Sequence, residues 1–313
     1  MGRARGHRAR IASAVVTAGL AVAAATPSVH ATFPGRNGRI AFTTIEYSAE
    51  SNDDYREIVS NRPDGGAARR LARGAEDPAY RPDGHMIAFA AERRGIGGSR
   101  PGGIFLMRSD GSAKGRLLSG PYGEPDWSPN GKRLLVTRML GRRSIFIWSR
   151  GELSALTRGT QPAWSPTGEL IAFTRVHGLA PDGEFLESVH VMHADGSRVR
   201  RLERGFDPEW SPNGRRILFT RFDGSIRSIR PNRTGLRAVT PIHGFSPIYS
   251  PNGRLISYSK RIPTDVAADG LVLTMGADGR RPKRILSFNR DLPGCCPHEA
   301  WDLDWQPRPR PRP

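Results

Sequence analysis

Pro125-Asp-Trp127-Ser-Pro129-Asn-Gly131 is one copy of a phrase that recurs along the chain as Pro78-Ala-Tyr80-Arg-Pro82-Asp-Gly84, Pro162-Ala-Trp164-Ser-Pro166-Thr-Gly168, Pro208-Glu-Trp210-Ser-Pro212-Asn-Gly214 and Pro247-Ile-Tyr249-Ser-Pro251-Asn-Gly253. A degenerate sixth copy is Leu303-Asp304-Trp305-Gln306-Pro307. Successive aromatic positions lie 47, 37, 46, 39 and 56 residues apart. A self-similar unit of roughly 40 residues, punctuated by turns, signals a propeller or another repeat array. The 36 glycines and 26 prolines interrupt short apolar runs rather than long helical stripes, which points to an all-β chain.

Each phrase is followed by a short apolar run, such as Met86-Ile-Ala-Phe89, Leu170-Ile-Ala-Phe173 or Arg216-Ile-Leu-Phe219. A second run comes next, as in Ile104-Phe-Leu-Met107 and Ile145-Phe-Ile-Trp148. It commonly closes in an Asp-Gly turn, as at Asp110-Gly111 and Asp195-Gly196, before a short outer run such as Arg116-Leu-Leu118. Asp-Gly and Asn-Gly supply the positive φ that tight hairpins need. The unit is therefore four antiparallel strands. The array starts on a second strand, Gly38-Arg-Ile-Ala-Phe42, and ends on a lone first strand around Trp305. Pairing that last strand into the first unit closes a six-bladed β-propeller and removes the exposed sheet edge at the seam.

The Pro-x-Trp-Ser-Pro-[Asp/Asn/Thr]-Gly-x-x-Ile-Ala-Phe pattern resembles the WD-type repeat of TolB-like β-propellers, over about residues 33–307. The resemblance implies six blades and service as an extracytoplasmic binding module; in TolB, protein partners engage the mouth of the central channel. The sequence shows no counterpart of the α/β domain that precedes the propeller in TolB. Only the propeller part of the resemblance carries over.

Arg3, Arg5, Arg8 and Arg10 precede an uncharged stretch, Ile11 to Ala25, and Val29-His30-Ala31 offers a small-x-small cleavage site. Residues 1–31 read as a signal peptide, too short for a comfortable membrane span, with an uncleaved anchor as the alternative. The expected division is a leader at 1–31, a propeller at 32–307 and a Pro/Arg tail at 308–313, extended and solvated. The mature chain is expected to be a soluble monomer, secreted or held in the periplasm or cell envelope.

The net charge of +18 rests on 44 arginines against four lysines. Removing the four leader arginines brings it to +14. The remainder are scattered, as at Arg69-Arg70, Arg142-Arg143, Arg200-Arg201 and Arg215-Arg216, and read as solvated edges that block edge-to-edge aggregation. No stacking surface of aromatics accompanies them, which argues against nucleic acid. A cell-envelope polymer is a candidate partner on electrostatic grounds.

If the Asn-Gly and Asp-Gly turns share one face of the disc, the long connections Thr44–Glu57, Ala91–Gly103, Arg175–Ser188, Arg261–Gly270 and Asn289–Ala300 share the other. Functional variation gathers in such loops. Each first strand enters the channel from that face through the pairs Asp77/Ala79, Glu124/Asp126, Gln161/Ala163, Asp207/Glu209, Ser246/Ile248 and Asp302/Asp304. Period-two alternation puts both members of a pair on the channel side. The candidate site is therefore Asp77, Glu124, Asp126, Gln161, Asp207, Glu209, Asp302 and Asp304. Read functionally, this is an acidic funnel for a cation such as Ca²⁺ or for a basic or amide-rich peptide. Read structurally, the acidic residues pair with arginines or cap turns around a water-filled channel.

Cys295-Cys296-Pro297-His298 holds the only two cysteines. A disulfide between Cys295 and Cys296, an intermolecular disulfide, free thiols, or a metal site with His298 and Glu299 all fit the sequence. No Gly-x-Ser-x-Gly, phosphate loop or His-Glu-x-x-His occurs. The function expected is an exported, non-catalytic binding module for a protein or peptide. The alternative is a metal-dependent hydrolase or lyase that uses the channel-mouth carboxylates.

Overall fold

A computed structural model describes residues 33–48, 53–95, 98–179, 185–263, 268–287 and 300–308. Within them lie six sheets of four antiparallel strands each. The expected leader, the Cys295–His298 segment and the end of the tail fall outside these residues.

The innermost strands of blades 2 to 6 are Ala75–Tyr80, Tyr122–Trp127, Thr160–Trp164, Phe206–Trp210 and Phe245–Tyr249. Blade 1 borrows its innermost strand from the end of the chain. Ala300–Arg308 pairs with Arg36–Ser48, setting Trp305 opposite Ile40 and Asp304 opposite Ala41. The expected closure of the ring is thus what the chain forms.

The repeated phrase builds one turn over and over. The backbone N–H of Arg133, five residues on, donates to Ser128 Oγ at 2.9 Å, and Leu170–Ser165, Arg216–Ser211 and Leu255–Ser250 repeat the bond. Asn130 Oδ1 accepts the N–H of Lys132, a side-chain turn reproduced by Asn213 and Asn252. Gly131 stands at φ 64°, a conformation a Cβ would strain.

The large aromatic of each phrase fills the seam between blades. Tyr80, Trp210 and Trp305 are at most 1% exposed. Trp210 packs against Ala163, Ala172 and Val191 of blade 4 while sitting on blade 5, and its Nε1–H donates to Ala163 O at 3.1 Å. Trp305 does the same across the closing seam, donating to Ser257 Oγ of blade 6 at 3.0 Å. Burial of rings this size dominates the energetics of such interfaces.

Two expectations need correction. Most of the long connections are not loops: Arg36–Ser48 stays paired with Asp53–Asn61 out to Ser48 and Asp53. Met86–Gly95 stays paired with Gly98–Arg108 out to Gly95 and Gly98. Leu170–Leu179 with Phe185–His193, and Leu255–Pro263 with Ala268–Gly276, form similar long hairpins. Continued pairing satisfies backbone groups that an irregular loop would leave to water. Blades 1, 2, 4 and 6 therefore carry β-hairpins projecting from one face, whereas blades 3 and 5 turn after Arg138 and Thr220.

The second correction concerns strand alternation. Each innermost strand, that of blade 1 included, has a bulge: in blade 3 the register jumps from Gly123–Thr137 to Asp126–Leu135, so Glu124 and Pro125 oppose one residue. The bulge also bends the strand and redirects its side chains, so simple period two fails where the site begins.

Candidate functional site: the channel mouth

The residue that starts each bulge is left-handed. Asp77, Glu124, Gln161, Asp207, Ser246 and Asp302 have φ between 47° and 54°, one per blade. Non-glycine residues adopt this conformation at a cost. Five of them also precede proline, which narrows their backbone further.

What holds Glu124, Gln161 and Asp207 is the preceding blade. The N–H of Glu124 donates to Asp77 Oδ2 at 2.7 Å, and the N–H of Gln161 donates to Glu124 Oε2 at 2.5 Å. Thr160 Oγ1 also donates to Glu124, at 2.7 Å from Oε1. The N–H of Asp207 reaches Gln161 Oε1 at 3.3 Å, and the amide nitrogen of Gln161 donates back to Asp207 Oδ1. Ser246 Oγ donates to Asp207 Oδ2 at 3.4 Å. Asp302 and Asp77 interact across the seam between blades 1 and 2, Asp77 helping to raise the proton affinity of Asp302. Polar links thus pass from blade to blade around the mouth.

A deeper layer comes from alternate blades. Asp304, Asp126 and Glu209 belong to blades 1, 3 and 5, with Ala79, Ala163 and Ile248 between them. Asp304 Oδ2 accepts the N–H of Tyr80 at 2.5 Å, and Asp126 Oδ2 accepts the N–H of Trp164 at 2.6 Å. Each binds the phrase of the following blade at its aromatic residue. All eight candidate residues line one cavity of about 130 Å³. The structure therefore brings every one of them together.

Among the described residues Asp77, Glu124, Asp126, Asp207, Asp302 and Asp304 make no ion pair. Arginine pairing, half of the structural reading, is thus overturned for these six; Asp77, Glu124, Asp126 and Asp304 accept backbone amides of the following blade's inner strand instead. Crowding in a narrow channel favours protonation. Burial, reinforced by Glu124, raises Asp207 to about 7. Burial and then the charge of Asp77 raise Glu124. Burial lifts Asp126 well above the carboxylate range, with Glu209 and Asp304 adding to it. Asp302 and Asp304 are likewise well above it, through burial first and then Asp77 and Glu209 respectively.

Such a mouth holds protons and hydrogen-bond acceptors in a fixed ring. No group of three or more His, Cys, Asp or Glu among the described residues is placed to hold a metal ion, and none is therefore assigned to Ca²⁺. Sequence reasoning left Ser246 out of the candidate site, although its place before Pro247 was the signal. Thr160 and Thr43, the latter accepting the N–H of Asp77 at 3.0 Å, had no such mark.

Fold and mouth together define a six-bladed propeller of the WD-type repeat class. The chain belongs to the TolB β-propeller domain family, whose model matches residues 39–294. Its fold is similar to that of a TolB-type protein from Agrobacterium tumefaciens, with a TM-score of 0.58 and 16% identity over 86% of this chain and 99% of that one. It is also similar to hydrazine synthase from Kuenenia stuttgartiensis, with a TM-score of 0.65 and 14% identity over 88% of this chain and 48% of that one. A stretch of 67 residues is 37% identical to the uncharacterized peptidase YuxL of Bacillus subtilis (strain 168), covering 21% of this chain and 10% of that protein. The chain thus spans about a tenth of that relative. Among the described residues no helix is long and apolar enough to cross a membrane.

Proposed function

We propose that this chain is an exported, non-catalytic binding module that takes a protein or peptide at the acidic channel mouth and the face carrying the projecting hairpins. Residues 1–31 would act as the export leader, 32–307 as the propeller and 308–313 as a solvated tail. The observation that carries the reading is the set of carboxylates converging on the mouth with backbone amides, not arginines, as partners. Their acceptor oxygens face a small cavity open to the surface, which suits a partner offering N–H donors or positive charge. Membership of the TolB propeller family supports a protein partner at the same coarse level. The metal-dependent alternative gains no support from the placement of the described ligand-type residues.

The test compares the mature protein with an Asp126→Asn/Asp207→Asn/Glu209→Gln variant as baits in the extracytoplasmic fraction. The substitutions keep an acceptor oxygen at each position and remove the ionisable carboxyl. A protein retained by wild type and lost by the variant supports the reading. Equal retention moves the site away from the channel, and retention of nothing by either bait overturns the binding module.

A further inference from the structure

On the opposite face, where the Asn-Gly turns lie, blades 5 and 6 enclose a cleft of about 950 Å³. Five arginines line it, Arg215, Arg216, Arg230, Arg237 and Arg254, with Tyr249 at its wall and no Asp or Glu in its lining. We propose that this cleft is a binding site for a ligand carrying several oxyanion groups, phosphate or carboxylate.

The guanidinium groups divide into a fixed pair and a free set. Arg216 donates through Nε to Ser228 Oγ and through a second nitrogen to Ser228 O, both at 2.9 Å. Arg237 Nε donates to the same Ser228 Oγ at 3.2 Å. Positions held this way lose little freedom when a ligand arrives. Arg215, Arg230 and Arg254 are exposed, and among the described residues their side chains have no ion pair or hydrogen-bond partner. Planar guanidinium forks match phosphate and carboxylate oxygens two at a time.

Like charges gathered without a counter-ion repel, and the protein shows that cost. Burial first, then Arg237 and Arg230, lower the proton affinity of Arg216. The repeat supplies an internal comparison. The corresponding cleft between blades 2 and 3 also holds Arg81, Lys132, Arg133 and Arg150, but it adds Leu106, Leu117 and Trp148 and includes Glu152, while Arg81 pairs with Asp83 and Arg133 stacks on Trp164. What sets the cleft between blades 5 and 6 apart is five arginines with no carboxylate in the lining. The proposal does not rest on the channel mouth, which lies at the other end of the inner strands.

Calorimetric titration of the full chain at low salt would use two probes, inorganic tripolyphosphate and tricarballylate. Wild type is expected to bind at least one saturably, and a response to only one identifies the group the cleft selects. Arg230→Gln/Arg254→Gln should weaken that binding by about tenfold per guanidinium removed. Arg198→Gln/Arg200→Gln makes the same charge change at exposed positions on blade 4 and should leave it within about twofold. Absence of saturable binding to either probe overturns the site. So does an equal loss in the two double variants, which would reduce the effect to net charge.

Discussion

The carboxylate of Asp77 accepts the backbone N–H of Glu124 across the seam between blades 2 and 3, at 2.7 Å, and both residues are left-handed, at φ 54° and 51°. Glu124, Gln161 and Asp207 are thus each held by the side chain of the predecessor in the ring, while the N–H of Asp77 goes to Thr43 Oγ1. Acidity and strain at the mouth are two aspects of one arrangement, in which the acceptor must be long enough to reach the next bulge and charged or strongly polar to repay it.

Asp77→Ala should destabilise the protein by about 1–3 kcal/mol, because the N–H of Glu124 loses its acceptor in a partly enclosed site. Asp77→Asn keeps an acceptor oxygen and tolerates the left-handed region well, so most of the loss should be recovered. Urea unfolding of both variants checks this. Equal losses would remove the hydrogen bond as the cause.

Asp207 gives a pH signature. Its native proton affinity is raised to about 7 while the unfolded group titrates near 4, so the native state keeps a proton the unfolded chain has released. Stability from this group is present below about pH 4 and is lost as pH rises to about 7, at no more than about 1.4 kcal/mol per pH unit. Asp207→Asn should flatten that decline and be the more stable form at pH 8. Melting curves at pH 4, 5.5 and 8 decide it, and parallel slopes for the two proteins would contradict the assignment.

Trp164→Ala should cost about 3–5 kcal/mol, and Trp305→Ala about the same. The two rings are 3% and 1% exposed in equivalent seams, one inside the array and one at its closure. A Trp305 loss far below that of Trp164 would mean that the closing strand contributes little to the cooperative unit.

Arg216→Lys should cost about 1–3 kcal/mol, since an ammonium cannot span Ser228 Oγ and Ser228 O together. Arg39 repeats the staple in blade 1, donating to Ser60 Oγ at 3.0 Å and Ser60 O at 2.8 Å, so Arg39→Lys should match it. Guanidine denaturation would show the effect. A neutral result at both sites would return these arginines to the solvated edges that their scatter in the sequence suggested.

Much of the molecule is written in the repeated phrase. Ser128, Asn130 and Gly131 specify a turn through contacts within six residues, and the aromatic two places before the proline specifies what fills the seam. Local chemistry of that kind needs no knowledge of the rest of the chain. The hairpins were harder to read. Met86–Gly95 and Gly98–Arg108 remain paired through Arg93, Arg94 and Arg100, where charge and glycine imitate a loop and cross-strand pairing overrides them.

The sequence by itself determined the number of blades, the closing strand and the eight residues that meet at the mouth, because a fixed repeat and strand polarity place equivalent positions at equivalent radii. Only the tertiary structure decided what those residues do there. The bulge that turns Glu124 left-handed, and the backbone amide of Gln161 that its carboxylate meets at 2.5 Å, join positions 37 residues apart. The gathering of Arg230, Arg237 and Arg254 without a carboxylate between blades 5 and 6 has the same origin. Proximity between separate blades is set by how the blades pack around the ring, and no local pattern of residues encodes it.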